Sequence, residues 1–67
     1  MERYDLHIYF SERELVVSYG TQSEAIDAQQ YLKAGKWFTV VDKVNNASFQ
    51  VNGRAISYIE IKRVERP

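Results

Sequence analysis

The chain has no cysteine, so its 67 residues form no disulfide, no thiolate metal site and no cysteine nucleophile. It has one histidine, His7, and a multi-histidine metal site would therefore need several chains. No apolar run approaches the roughly 20 residues that span a bilayer, and no signal peptide opens the sequence. We expect a cytoplasmic protein with no cofactor, no metal and no membrane segment.

An excess of charge of either sign is also missing, because nine basic residues balance nine acidic ones. A nucleic-acid-binding protein usually carries net positive charge or a basic face, and a protein that imitates DNA is strongly negative. The sequence meets neither simple expectation.

The chain is short enough to form one domain, residues 1–67. A chain of this length buries only about 60% of its unfolded surface, so its core is marginal. Disulfides, a metal or a partner chain usually make up that deficit. With the first two excluded by composition, we expect a homo-oligomer.

Catalytic motifs are absent too. The three glycines all fall at predicted turns or helix ends, and none belongs to a phosphate-binding loop. Ser11 and Glu14 follow His7 closely in the sequence, but nothing near them provides an oxyanion hole or a walled pocket. We expect no enzymatic activity.

Residues 3–10 alternate between apolar and polar positions, with Leu6 and Ile8 on the apolar face, which predicts a half-buried strand. A polar loop at 11–14 separates it from a second strand at 15–19. Thr21 and Glu24 then form a capping-box pattern. The apolar stripe after it, Ala25, Ala28 and Leu32, predicts a helix that ends near Gly35.

Three further strands are predicted at 37–42, 48–52 and 58–64. Asn45 and Asn46 favour a tight turn between the first two, and Asn52-Gly53 is a strong signal for a type I′ hairpin. The apolar phase of the last strand requires a bulge or short turn near residues 55–57. The charged tail from Arg63 onward should fray at Pro67.

The predicted order is therefore ββαβββ, an α+β fold. Our first choice is a mostly antiparallel five-stranded sheet with one helix packed on a face. The alternative is a small SH3-like barrel, since the last three strands would form a meander.

The chain has nine aromatic residues, which is more than one small core needs. Tyr and Trp dominate interface hot spots because they bury a large area at low entropic cost. The competing interpretation is that Trp37 and Tyr31 fill the core or the seam between helix and sheet. The candidate binding residues are His7, Tyr9, Trp37, Arg54, Tyr58 and Lys62.

A basic area beside Tyr9 and Tyr58 is a second expectation. Its members would be Arg3, Arg54, Lys62 and Arg63. Aromatic stacking together with arginine grips a nucleotide or single-stranded nucleic acid. Acidic Asp5 and Glu60 interrupt the same surface, which weakens this interpretation.

The second half of the chain contains KWFTVVDKVNNASFQVNGRAISYIEI, residues 36–61. This segment resembles short orphan proteins encoded by phages and prophages of Gram-positive bacteria. The matching positions are Trp37, Val51, Asn52, Ile56, Ile59 and Glu60; a similar run occurs in flagellar FlbD-type proteins. The resemblance covers under half the chain. It implies a mobile-element setting, in which small proteins block or sequester a host component.

We therefore expect a non-catalytic, homo-oligomeric binding protein of phage type that blocks or sequesters a host protein or a nucleotide-like signalling molecule. The alternative is a small nucleic-acid-binding regulator that uses the outer face of the sheet. A third hypothesis is a structural assembly protein, such as a minor virion or scaffold component.

Overall fold

The computed structural model describes residues 2–65 and contains five strands and one α-helix in the predicted order. A short 3₁₀ helix, Gly53–Ala55, precedes the last strand. The elements are β1 Glu2–Tyr9, β2 Glu14–Tyr19, α1 Gln22–Lys33, β3 Trp37–Asp42, β4 Ala47–Asn52 and β5 Tyr58–Glu65.

One antiparallel sheet has the order β2-β1-β5, with β1 in the centre. Leu6 lies opposite Val17 on one side and opposite Ile61 on the other. Because side chains alternate across a strand, this register places the apolar residues of all three strands on the same face. Leu6, Ile8 and Val17 are fully buried, so the predicted alternation is confirmed.

The helix covers that apolar face. The Thr21 hydroxyl accepts a hydrogen bond from the Glu24 N–H at 3.2 Å, as the capping-box pattern predicts. Ala25, Ala28 and Leu32 are buried against the sheet and complete the core. The helix ends where Gly35 adopts φ +75°, and the Gly35 N–H donates to the Leu32 carbonyl.

The second sheet is the β3–β4 hairpin. The buried carboxylate of Asp42 organises its turn, accepting from the N–H groups of Val44 and Asn45 and from the Asn45 side chain at 2.7–3.0 Å. Asn46 adopts φ 56°, so the predicted Asn-Asn turn is confirmed. Val40 and Val51 point from the hairpin into the core.

The prediction of a single five-stranded sheet is wrong. Within residues 2–65, one main-chain hydrogen bond joins β2 to the residue that follows β3, from the Lys43 N–H to the Ser18 carbonyl at 2.9 Å. No ladder connects these two strands, and the five strands form separate sheets of three and two. The expected meander is also missing, because β5 pairs with β1 instead of β4, which removes the basis for the barrel alternative.

Asn52-Gly53 does not form the predicted type I′ hairpin. Asn52 caps the 3₁₀ helix by accepting from the Arg54 N–H at 3.1 Å, and φ is not positive at Gly53. This turn carries the chain across to β1, and it confirms the expected reset of phase before β5. The strand continues to Glu65 instead of becoming a tail at Arg63. The frayed end predicted at Pro67 lies outside the described residues.

Candidate functional site

Four of the six candidate binding residues lie together on the outer face of the three-stranded sheet, the side turned away from α1. The register places Tyr9 opposite Tyr58, and His7 and Lys62 project from the same face. The rings of Tyr9 and Tyr58 stack with centroids 4.2 Å apart, and His7 lies 6.2 Å from the Tyr9 ring. Tyr58 is 59% exposed. The outer face therefore carries a row of three aromatic rings.

Carboxylates contact the polar atoms of two of these three aromatic rings. His7 Nδ1 lies 2.5 Å from Glu14 Oε2, and the Tyr9 hydroxyl donates to Glu60 at 3.2 Å. The hydrogen bond to His7 lowers the pKa of Glu14. Desolvation, together with the carboxylates Glu14 and Glu60, raises the pKa of Tyr9 to about 12. Within residues 2–65, no hydrogen bond joins Ser11 to His7.

The cations near this row have acidic partners. Arg3 pairs with Asp5 at 3.2 Å and Lys62 with Glu60 at 3.6 Å. Arg63 lies opposite Tyr4 and thus points to the other face, where it contacts Glu2 and Glu65. The outer face consequently has alternating charge instead of the basic area that we expected.

Trp37 and Arg54 occupy a different part of the molecule. Trp37 opens β3 and is 69% exposed, and Arg54 lies in the 3₁₀ helix. Both line a shallow depression together with Gly35, Lys36 and Asn52. Trp37 thus lies outside the core, as the binding hypothesis expected, and it does not join the aromatic row.

A cleft between the helix and the hairpin was not predicted. Its uncharged lining residues are Tyr19, Ala28, Tyr31, Phe38, Thr39 and Val41, and its volume is about 220 Å³. We call it the α1–β3 cleft. Tyr31 stacks on Phe38 with centroids 4.9 Å apart and is 60% exposed, so it neither fills the core nor closes the seam. Glu24, Asp27 and Lys43 also line the cleft.

The edge of β3 borders this cleft. The Gly53 N–H donates to the Lys36 carbonyl at 3.0 Å, which continues the β3–β4 ladder by one pair. Hydrogen-bonded pairs alternate in an antiparallel ladder, so the main-chain groups of Trp37, Thr39 and Val41 turn away from β4. The bond from Lys43 to Ser18 follows the same alternation. The edge of β3 therefore has donors and acceptors directed away from its own hairpin.

Comparison with known proteins gives no counterpart for these surfaces. The chain matches no family model, no curated protein and no solved structure.

Two classes of feature are missing from the part of the chain that the structure describes. Among residues 2–65, no three His, Cys, Asp or Glu side chains come together in a group that is able to hold a metal ion. No helix in that range has the length and apolar character required to cross a membrane.

The sequence contained only an indirect signal for the cleft. Tyr31 follows Ala28 by three residues and therefore flanks the buried stripe of α1. Phe38 alternates with exposed Trp37 and Thr39 along β3. Each pattern identifies a residue at the margin of the core, but neither predicts that the two rings meet.

Proposed function

We propose that the protein is a non-catalytic, homo-oligomeric binding protein that captures an extended segment of a partner protein in the α1–β3 cleft. The observation that carries this proposal is the open edge of β3 beside an apolar cleft, with exposed aromatic residues along it. By holding such a segment, the protein blocks or sequesters its partner.

The main chain supplies the first part of the interaction. An extended peptide that pairs with an open strand edge gains main-chain hydrogen bonds, and neighbouring pockets select its alternate side chains. Trp37, Thr39 and Val41 direct their main-chain groups outward on this edge. Tyr31 and Phe38 form an apolar surface beside it for every second side chain of the peptide.

The charged residues of the cleft suggest the chemistry of the partner segment. Asp27 is exposed, and within residues 2–65 its carboxylate forms no hydrogen bond or ion pair. Glu24 lies one turn earlier and accepts from the Thr21 hydroxyl at 3.0 Å. We therefore expect a segment of alternating apolar residues with a lysine or arginine next to Asp27.

The resemblance of residues 36–61 to phage and prophage proteins supports a host protein as the partner. A small protein that occupies a strand-binding segment of a host component needs no catalytic group of its own. A nucleotide-like signalling molecule is less well supported, because the one stacked tyrosine pair, Tyr9 with Tyr58, is bordered by the carboxylates Glu14 and Glu60.

The nucleic-acid alternative has less support from the charge distribution. Arg3 and Lys62, the cations on the outer face, already contact carboxylates. A phosphate backbone needs cations in excess of such pairs. Unchanged electrophoretic mobility of DNA and RNA at low salt would remove this alternative.

A peptide library displayed on phage provides the test. The immobilised full chain should select extended sequences with alternating apolar residues and a basic residue. Tyr31→Ala should weaken a selected peptide about 30-fold, as expected for an interface hot spot. Thr39→Pro should also weaken it, since proline removes the outward N–H without breaking the ladder to β4.

Tyr58→Ala is the matched control, because it removes an equally exposed tyrosine from the opposite surface. Its affinity for the selected peptide should equal that of the wild type. Loss of binding in Tyr58→Ala but not in Tyr31→Ala would show that the peptide binds to the outer face of the three-stranded sheet and not in the α1–β3 cleft. Selection of no peptide would contradict the proposal.

A further inference from the structure

We infer that the outer edge of β4 is the surface through which two copies of this chain associate, strand to strand and antiparallel. This inference rests on the homo-oligomeric part of the proposed function and names the interface. It concerns the edge of the hairpin opposite to the α1–β3 cleft.

The main chain of β4 has an open edge. The alternation that directs Trp37 and Thr39 away from β4 also directs their opposite residues, Asn52 and Gln50, away from β3. Ser48 belongs to the same set. Its N–H and C=O and those of Gln50 have no partner strand within residues 2–65. An edge of this kind pairs readily with another strand.

The outer edge of β5, in the three-stranded sheet, is protected against pairing, and the outer edge of β4 is not. β5 carries Glu60, Lys62, Arg63 and Glu65 along its length, and charges at an edge discourage strand pairing. Residues 44–53, VNNASFQVNG, contain no charged side chain and no proline. Charged side chains therefore protect the edge of β5, whereas the edge of β4 carries no such protection.

An apolar surface accompanies the open edge. Phe49 lies on the core-facing side of the hairpin, opposite fully buried Val40, yet it is 36% exposed. Val44 in the neighbouring turn is 47% exposed. A strand added to β4 would lie beside Phe49 and reduce its exposure to water.

A second copy fits this edge because the strand is compatible with itself. In antiparallel pairing centred on Gln50, Phe49 lies opposite the second copy's Val51, and Ser48 lies opposite its Asn52. Two Gln50 side chains meet at the two-fold axis, where their amides can donate to and accept from each other. No like charges face one another. The pairing converts two hairpins into one four-stranded sheet, which a short chain with a marginal core needs.

Sedimentation equilibrium from micromolar to near-millimolar concentration tests the inference. The wild type should dimerise. Gln50→Pro should raise the dimer dissociation constant about tenfold or more, because symmetry removes the outward N–H twice. Gln50→Lys should do the same by placing two like charges at the axis. Gln50→Thr, uncharged and favourable in strands, should still dimerise.

Cross-linking gives a second measurement that does not depend on a folding-sensitive proline. Since the chain has no cysteine, Gln50→Cys introduces a single thiol, and mild oxidation should link two copies across the axis. Lys62→Cys on the protected β5 edge should give no covalent dimer under the same conditions, because the two thiols would lie far from the two-fold axis.

The outcomes separate this inference from the proposed function. A wild-type dimer that all Gln50 variants leave intact would place the interface elsewhere, overturning the inference while the oligomeric proposal stands. A wild-type monomer at all concentrations would overturn both the inference and the oligomeric proposal. Peptide capture in the α1–β3 cleft would be unaffected by either result.

Discussion

Gly53→Ala tests how the 3₁₀ helix packs against the rest of the molecule. A Cβ at position 53 would lie 2.6 Å from the Leu32 carbonyl oxygen and 2.9 Å from that of Lys36. Real Cβ contacts essentially never fall below 3.0 Å, so the main chain would have to move by tenths of an ångström on two sides. Both neighbours are backbone atoms at the end of α1 and the start of β3, and neither can rotate away.

Overpacking of this kind costs about 1–3 kcal/mol of unfolding free energy. For a domain of this size, each kcal/mol corresponds to a change in Tm of roughly 4–8 °C. Urea unfolding of Gly53→Ala, monitored by Trp37 fluorescence and circular dichroism, should therefore show a clearly lower midpoint with an unchanged slope.

Gly20→Ala is the matched control. No atom lies within 4 Å of a Cβ at position 20, and φ there is not positive. This variant should be neutral or stabilised by about 0.4–1 kcal/mol through the unfolded state. Equal stability of Gly53→Ala and Gly20→Ala would refute the close packing of Gly53 against the Leu32 and Lys36 carbonyls.

Gly53→Asn distinguishes the packed 3₁₀ helix from a type I′ turn at residues 52 and 53. Asparagine is accepted at positive φ, so a type I′ turn at Asn52-Gly53 would tolerate it. The packed 3₁₀ helix would not, because the Cβ of asparagine meets the same carbonyls. A stable Gly53→Asn beside an unstable Gly53→Ala would favour the hairpin that the structure contradicts.

Four further predictions concern stability. Thr21→Ala should lower the free energy of unfolding in urea by about 0.5–2 kcal/mol, because the helix loses the hydrogen bond that caps it. Thr21→Ser keeps the hydroxyl and should be close to wild type. Leu32→Ala, at a site that is 1% exposed, should cost about 2–5 kcal/mol in the same assay. Burial disfavours ionised Asp42, but the hydrogen bonds from Asn45, Ser18 and Val44 together outweigh it and lower the pKa of Asp42 below its ordinary value of 3.8. The stability that ionised Asp42 contributes should therefore be present above about pH 3.8 and lost as the pH falls through the lowered pKa. Acid titration followed by NMR should show this loss. Asp42→Asn should abolish this pH dependence of stability. Burial raises the pKa of Tyr19 to about 12, so stability from Tyr19 should persist below about pH 10 and decline toward pH 12, a dependence that Tyr19→Phe removes in alkaline unfolding.

Local patterns predicted the elements well. The alternation around Leu6 and Ile8, the capping box at Thr21 and the Asn46 turn each depend on neighbours within a few residues. The reset before β5 was also visible, because the apolar phase of Ile56 and Ile59 could not belong to one regular strand. These signals agree with the fold because the local preference at each of these positions matches the element that the tertiary structure requires there.

Pairing between distant strands was not predictable in the same way. Nothing in the sequence of β5 states that it lies beside β1 instead of β4. The Asn52-Gly53 signal favoured the wrong partner, because the contact of Gly53 with the main chain of Leu32 and Lys36 overrides the local turn preference.

The two candidate sites also differ in how far the sequence predicts them. Once β1 and β5 are paired, alternation alone places His7, Tyr9 and Tyr58 on one face. The contact between Tyr31 and Phe38 depends on the rotation of α1 and the angle of the hairpin, which a periodic pattern does not encode. The α1–β3 cleft is therefore a property of the tertiary structure that no local sequence pattern predicts.

The central position of β1 also has a consequence during translation. β1 is the first of these five strands to be synthesised, but its neighbour β5 is the last of them, and Glu2 lies opposite Glu65. A nascent chain that ends before residue 58 leaves one edge of β1 and the apolar side chains beneath it uncovered. The three-stranded sheet can close only after β5 has emerged, so the domain cannot complete its fold while any of the five strands is still being synthesised.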